Sequence, residues 1–182
     1  MSSVTTVLLC GVGGQGTVLA ADLLAHAALE AGYDAKVSEI HGMSQRGGAV
    51  TTVVRFGRDG VALSNLPNVR AGGHLLVSDE TIQPLPVLIG HAAMPERAHE
   101  RLREAGATLI PAGAIAAEEG SPKSANVVLL GALATKLDFS QDAWEKVVAS
   151  RVPPKTGDAN LAAFRAGFAF AQEAADREGA RS

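Results

Sequence analysis

The sequence predicts an α/β protein: a three-layer, Rossmann-like fold with a mostly parallel sheet, helices on both faces, a β-hairpin and C-terminal helices. A β-branched and apolar run at residues 4–10 leads into glycines at G-x-G-x-x-G spacing, and apolar residues then recur at helical spacing. That order is typical of the strand, glycine turn and helix that open a βαβ unit. Aromatic residues make up only 4% of the chain, and the alanine and glycine in their place suit close packing of helices on a sheet. A length of 182 residues fits one domain, residues 1–182.

The remaining elements follow from periodicity and turn residues. Strands are expected at residues 4–10, 35–40, 49–56, 61–64, 74–78 and 108–111. Helices are expected from near residue 14 to residue 28, at 95–106, 112–119, 124–137 and 158–178, and after a capping Ser140. A turn at Gly57–Gly60 joins two of the strands into the hairpin. Pro84 and Pro86 predict an extended crossing over residues 81–90 rather than a helix.

The glycine turn is the first candidate functional site. We expect Gly11 to allow the turn, Gly13 to allow close approach of a ligand, and Gly16 to allow close packing of helix on strand. Exposed N–H groups and the positive end of the helix dipole would then favour an anion. The alternative is that the glycines only let the chain turn sharply. The candidate ligand-binding or interface residues of this turn are Gly11, Gly13, Gly14, Gln15 and Gly16.

A second group of candidates follows the second predicted strand. Glu39, at the carboxyl end of that strand, could hold ribose hydroxyls, or it could be a solvated carboxylate or pair with a neighbour such as Arg46. The glycine-rich loop after it lies where open α/β sheets place their ligands, and four arginines against one acid between His41 and Arg70 suit a phosphate or an acidic partner. Its candidates are His41, Gly42, Met43, Gln45, Arg46, Gly47 and Gly48. Asn126, in an apolar helix, is expected either to be buried and satisfied by backbone or to contact a neighbouring site.

Composition excludes several classes of function. A net charge of −3, from 16 basic and 19 acidic residues, gives no signal for binding nucleic acid. The single cysteine, Cys10, excludes an internal disulfide and an all-cysteine cluster site. No basic leader and no apolar run near the ~20 residues of a membrane span occur, so a cytoplasmic protein without membrane contact is expected. The five histidines are scattered and no nucleophile or metal motif is present, so we predict neither catalytic nor metal-ligating residues.

Two motifs together carry a resemblance to a known family. The run G-V-G-G-Q-G at residues 11–16, followed by S-E-I-H-G-M-S-Q-R-G-G-A-V at residues 38–50, resembles the gamma-type component of 2-oxoacid:ferredoxin oxidoreductases. Within that family it looks like the small (beta) subunit of indolepyruvate:ferredoxin oxidoreductase. Residues 126–132 and 160–167 are similar to that family too, so the resemblance covers most of the chain.

The chain departs from the family at one place. Between the arginine-bearing strand and the next glycine-rich strand the family usually carries a further strand and helix. Here only residues 65–71 separate Ser64 from Gly72. Either this member lacks that unit, or the segment is absent from the sequence as it stands.

The resemblance implies a subunit of an enzyme that converts a 2-oxoacid, in particular indolepyruvate or another arylpyruvate, into acyl-CoA, CO₂ and reduced ferredoxin. It implies a large partner subunit that carries thiamine diphosphate and [4Fe-4S] clusters, coenzyme A in the holoenzyme, ferredoxin as acceptor, and a hetero-oligomer. This chain would hold no cofactor and would be inactive alone. The alternative hypothesis is a stand-alone domain that binds NAD or FAD through Gly11, Gly13, Gly16 and Glu39.

Overall fold

The computed structural model describes residues 4–41, 47–60, 63 and 73–179. The strands are β1 (Thr5–Val12), β2 (Asp34–His41), β3 (Ala49–Gly57), β4 (Leu76–Ser78) and β5 (Thr108–Ile110). The helices are α1 (Thr17–Glu30), α2 (Leu85–Leu88), α3 (Ala98–Glu104), α4 (Ala112–Glu118), α5 (Ala125–Ala134), α6 (Gln141–Arg151) and α7 (Gly157–Gly179), with a 3₁₀ turn at Pro154–Thr156. Among these helices none is long and apolar enough to cross a membrane.

The chain divides into two compact units. The first unit comprises Met1–Gly73 and Thr81–Ala98, and the second comprises His74–Glu80 and His99–Ser182. The single domain expected from the chain length stays a prediction.

The first unit is built on a three-stranded sheet in the order β1-β3-β2, covered by α1. The central strand β3 runs antiparallel to both neighbours, so β1 and β2 run in the same direction. Leu23 and Leu24 of α1 and Val54 and Phe56 of β3 are fully or almost fully buried. Burial of such side chains, worth about 1.5–3 kcal/mol each, holds α1 on the sheet.

The second unit combines a parallel pair, β4 and β5, with the helices α4 to α7. Trp144 of α6 is completely buried and its ring lies 5.6 Å from that of Phe139 and 5.7 Å from that of Phe164. The predicted cap of α6 is confirmed, because Ser140 Oγ accepts a 3.2 Å hydrogen bond from the Ala143 N–H. Phe164 of α7, which is also completely buried, therefore belongs to the core of this unit.

The predicted α/β class is confirmed. β1 and β2 run in the same direction, although each pairs with β3 and not with the other, and β4 and β5 form a parallel pair. β3 is inserted between β1 and β2, which the periodicity of each strand alone does not reveal. The return strand of the predicted hairpin, residues 61–64, falls outside the described residues apart from Leu63.

One predicted element is wrong: residues 81–90 are not purely extended, because α2 spans Leu85–Leu88. Pro84 is extended at the N-cap, with φ −69° and ψ 157°, and Pro86 lies in the first turn, where a missing N–H costs nothing. The Pro84 carbonyl accepts the N–H groups of Val87 (2.9 Å) and Leu88 (3.2 Å). Two prolines therefore start a short helix here instead of preventing one.

Candidate functional site

The glycine turn connects β1 to α1 as predicted, but the glycines with left-handed backbone are not the one expected to allow the turn. The left-handed backbone lies at Gly14 (φ 101°) and at Gly16 (φ 75°), the N-cap of α1. Gly11 is still part of β1, and a Cβ there would lie 2.7 Å from Thr17 Oγ1 and 3.2 Å from Gln15 Oε1. Gly14 and Gly16 thus make the turn, and Gly11 makes room for the side chains that fold back over it.

Three N–H groups of this turn are used within the chain. Val12 donates to Gln15 Oε1 (2.6 Å), Gly13 donates to the Gly48 carbonyl (2.8 Å), and the Gln15 N–H donates to the Val12 carbonyl (3.1 Å). A phosphate-binding turn instead points such N–H groups at its ligand. The described geometry therefore favours a turn that is closed on itself.

Two further segments are hydrogen-bonded to the turn. The Gly47 N–H donates to the Gly13 carbonyl (3.3 Å), and the Gly47 carbonyl accepts the N–H of Leu85 at the start of α2 (2.8 Å). Gly47 has φ 76°, and a Cβ there would lie 3.1 Å from Leu85 Cβ, so only glycine fits without displacement. We call residues 11–16 with Gly47, Gly48 and Leu85 the glycine platform.

Glu39 lies apart from the glycine turn. It is exposed on β2 and faces Thr52 of β3, which in turn faces Leu9 of β1. Adjacent strands are about 4.8 Å apart, so the inserted β3 puts the β2 backbone about 10 Å from that of β1. The first residues of β3 lie directly beside the glycine turn, because Val50 pairs with Gly11. In a dinucleotide fold the ligand sits in the crevice at this point and reaches an acid on the neighbouring strand.

The other predicted site residues are placed as follows. His41 ends β2, while residues 42–46, with Gly42, Met43, Gln45 and Arg46, lie outside the described residues, as does the His41 side chain. Asn126 is half-buried in the first turn of α5 rather than fully buried. The buried polar pair is instead Ser124 with Asn160, joined by a 2.8 Å hydrogen bond from Ser124 Oγ to Asn160 Oδ1.

The described residues do not fit an iron–sulfur or other metal site. They contain no group of three or more histidine, cysteine, aspartate or glutamate side chains that could hold an ion. Cys10 is an exposed free thiol, with Sγ 3.9 Å from Thr51 Oγ1. A cubane cluster is commonly held by four thiolates, and this sequence has one cysteine.

Sequence reasoning missed one surface. α2 and its flanking residues expose several large apolar side chains, although the region reads as a plain crossing when its prolines alone are considered. The signal that identifies it is the lack of charge. Residues 81–95 contain no aspartate, glutamate, lysine or arginine, in a chain that is 19% charged.

Comparison with known proteins gives the family. The profile of the pyruvate ferredoxin/flavodoxin oxidoreductase family matches residues 6–64 and 59–170, and the chain belongs to this family. The chain is 35% identical to the indolepyruvate oxidoreductase subunit IorB of Thermococcus kodakarensis, over 92% of this chain and 96% of that protein. The resemblance carried by the two glycine motifs is thus confirmed.

Solved structures share the fold. The gamma subunit of a keto/oxoacid ferredoxin oxidoreductase from Geobacter sulfurreducens is similar with a TM-score of 0.65 and 27% identity, over 92% of this chain and 98% of that one. A 2-oxoglutarate:ferredoxin oxidoreductase from Magnetococcus marinus matches with a TM-score of 0.71 and 20% identity, over 95% of this chain and 32% of that longer chain.

The same comparisons bear on the short connection after β3. The family profile matches in two stretches that meet at residues 59–64. The alignment with the Thermococcus subunit has 193 positions, while 92% of 182 residues is about 167, so about 26 positions have no residue of this chain. Both observations fit either explanation of the short connection: a member without the additional strand and helix, or a segment absent from the sequence as it stands.

Proposed function

We propose that this chain is the small, non-autonomous subunit of a cytoplasmic, thiamine diphosphate-dependent 2-oxoacid:ferredoxin oxidoreductase. The complex would convert an arylpyruvate such as indolepyruvate into acyl-CoA, CO₂ and reduced ferredoxin. The observation that carries this proposal is the similarity to an indolepyruvate oxidoreductase subunit over almost the whole of both chains.

The composition and geometry support a subunit that acts beside a larger one. One cysteine cannot hold a cluster, and the described residues bring no metal-ligating group together. Three N–H groups of the glycine turn already have partners within the chain. We therefore assign thiamine diphosphate, the [4Fe-4S] clusters and the main coenzyme A contacts to the partner. This chain contributes surface and shape to the assembly.

The stand-alone dinucleotide domain is less well supported. Its two requirements are free N–H groups in the glycine turn and an acid on the strand next to β1. The turn is closed by Gln15 and Gly48, and Glu39 lies on the far side of β3.

The test is an anaerobic assay of the reconstituted complex. The large subunit encoded in the same genome is expressed with and without this chain, and reduction of a viologen dye is followed with indolepyruvate and coenzyme A. We expect turnover only when both chains are present, and none when coenzyme A is omitted. Pyruvate and 2-oxoglutarate serve as controls for the substrate class. Full activity of the large subunit alone, or turnover by this chain alone, would contradict the proposal.

A further inference from the structure

The first unit presents an exposed apolar segment around α2. The fractional exposures are 40% for Ile82, 40% for Leu85, 63% for Leu88 and 55% for Ile89. We call residues 82–89 the apolar knuckle. Single exposed apolar side chains need no explanation, but a cluster of four within eight positions marks an interaction site.

The charge pattern of this segment is that of an interface core with a polar rim. No acidic or basic residue occurs over residues 81–95, where the 19% average of the chain would give about three. Within the same unit, charged residues resume directly after this stretch, at Glu96–Arg97. Depletion of charge in the centre and a polar surround is the composition that distinguishes interface cores from ordinary surface.

The knuckle has a defined conformation although none of its side chains enters the core. Leu85 donates its N–H to the Gly47 carbonyl (2.8 Å), which anchors the segment to the glycine platform. The Pro86 carbonyl accepts the N–H groups of His91 (2.8 Å) and Ala92 (3.0 Å), which closes its far end. A segment held in this way by prolines and backbone hydrogen bonds loses little conformational freedom on binding. The entropic cost of ordering it is therefore small, which favours higher affinity.

The exposed area of the apolar knuckle helps to decide whether its partner is a second copy of this chain or a larger protein. With about 200 Å² for a fully exposed leucine or isoleucine, the four side chains expose on the order of 400 Å² of apolar surface, typical of the largest patch on a monomer. Two copies meeting knuckle to knuckle would bury about 800 Å² in total, below the ~1,200 Å² of a specific interface. A larger protein with a groove can enclose this segment and so bury more of its surface than a second copy that meets it knuckle to knuckle. The area therefore favours a larger partner over a second copy.

We propose that the apolar knuckle is the anchor by which this chain docks into an apolar groove of the larger oxidoreductase subunit. Leu88 and Ile89, the most exposed of the four, are its central contacts. The inference rests on the proposed function, because it takes the large subunit as its occupant. It assigns the docking surface to residues outside both glycine motifs.

The experiment measures affinity between the purified large subunit and variants of the full chain. In the double variant Leu88→Gln/Ile89→Gln two apolar contacts are replaced by polar ones. We expect the Kd to rise by about 100-fold, the effect of losing two hot-spot contacts of about tenfold each. The matched control is Leu29→Gln, the same chemical change at a side chain that is 51% exposed at the end of α1. It should bind within about twofold of the parent, and Leu88→Met should retain binding because its side chain stays apolar.

Three further readouts make each outcome decisive. The circular dichroism spectrum and Tm of every variant must match the parent, as expected for exposed sites. Hydrogen exchange at residues 82–92 should slow when the large subunit is added. The isolated chain should sediment as a monomer.

Failure of this inference can be told apart from failure of the proposed function. If the parent chain neither binds nor activates the large subunit, the proposed function is wrong. If the parent binds and activates but the double variant binds equally well, with no protection at residues 82–92, only the docking inference is overturned. If the parent is a dimer that the double variant dissociates, the knuckle serves a second copy, which also overturns it.

Discussion

At the scale of single residues, Gln15 determines what the glycine turn offers to another molecule. Its side-chain oxygen accepts the Val12 N–H at 2.6 Å, and that oxygen also occupies the space that a Cβ on Gly11 would need. An N–H group that has such a partner is not free to bind a phosphate oxygen. The glutamine side chain thus removes one N–H group of the turn from those available to an anion.

We predict that Gln15→Ala lowers the free energy of unfolding by about 1 kcal/mol, because the Val12 N–H loses its acceptor. Exchange of the Val12 amide should become faster in the same variant. The control is Gln15→Glu, which keeps an oxygen in position and should leave both quantities close to those of the parent. Chemical denaturation and amide exchange measure them. Equal stability of all three proteins would show that the bond contributes nothing.

Glu145 carries the clearest electrostatic interaction among the described residues. Arg165 of α7 donates to its carboxylate through Nε (2.9 Å) and Nη2, and the Gln141 side-chain amide donates a third bond (2.9 Å). The hydrogen bonds from Arg165 lower the pKa of Glu145 from its ordinary 4.5 to about 2, although burial of the carboxylate acts in the opposite direction. Since the carboxylate is favoured in the folded state, this pair stabilises the fold above pH 4.5 and loses its effect as the pH falls toward 2.

We therefore predict that Glu145→Gln lowers the Tm at pH 7, and that the difference from the parent shrinks between pH 4.5 and pH 2. Thermal unfolding at several pH values gives the curve. The effect is modest because more than half of the Arg165 side chain is exposed to solvent. As a control, Glu173→Gln removes an exposed pair with Arg177 (3.0 Å) and should change the Tm little at any pH. A difference for Glu145→Gln that does not depend on pH would contradict this account.

At the scale of whole elements, the crossing of α5 and α7 depends on two glycines. A Cβ on Gly131 of α5 would collide with the carbonyl oxygen of Phe164, and one on Gly167 of α7 would collide with that of Val128. The contacted atoms belong to backbone, so the helices themselves would have to move apart. Close packing of this kind explains why glycine interrupts two otherwise apolar helix faces, despite its cost of about 1 kcal/mol relative to alanine within a helix.

We predict that Gly131→Ala and Gly167→Ala each destabilise the protein by about 1–3 kcal/mol, the usual range for overpacking. Gly157→Ala is the matched control in α7, because its Cβ would meet nothing within 4 Å and its φ of −54° suits any residue. It should be neutral, or stabilising by about 0.4–1 kcal/mol. Denaturation followed by the fluorescence of Trp144, the single tryptophan, reports on these helices directly. Tolerance of alanine at both glycines would mean that the helices lie further apart.

At the scale of the whole molecule, a subunit without a dinucleotide site should not bind nicotinamide cofactors. We predict no saturable binding of NAD or NADH to the isolated chain in calorimetry at concentrations up to about 1 mM, the weak end of the affinity scale. Binding that is abolished by Glu39→Ala would restore the dinucleotide hypothesis, because that residue is the one expected to hold the ribose. Glu30→Ala, at the end of α1, serves as the control for a general loss of charge.

Local patterns were sufficient for most elements of the chain. The strand, glycine turn and helix at residues 5–30 follow from periodicity, and so do α4 to α7, because each buries one stripe or face that its own sequence displays. α2 was missed because two prolines normally argue against a helix, whereas here one precedes the helix and the other lies in its first turn. The lack of charged residues at positions 81–95 can be seen in the sequence. It indicates an interaction surface only once the structure shows that the apolar side chains are exposed.

Three features could be read from the amino-acid sequence: the α/β class, the family, through two separated glycine motifs, and the shortage of cysteines for a cluster, which no folding can change. Three others became visible in the folded chain: β3 separates Glu39 from the glycine turn, Gly48 closes the turn, and the apolar knuckle is exposed. The difference lies in the range of the interactions. Periodicity reports on each element and its own neighbours. The bonds from Gly13 to Gly48 and from Leu85 to Gly47 instead join residues 35 or more positions apart, and the partners are chosen by the packing of the folded unit.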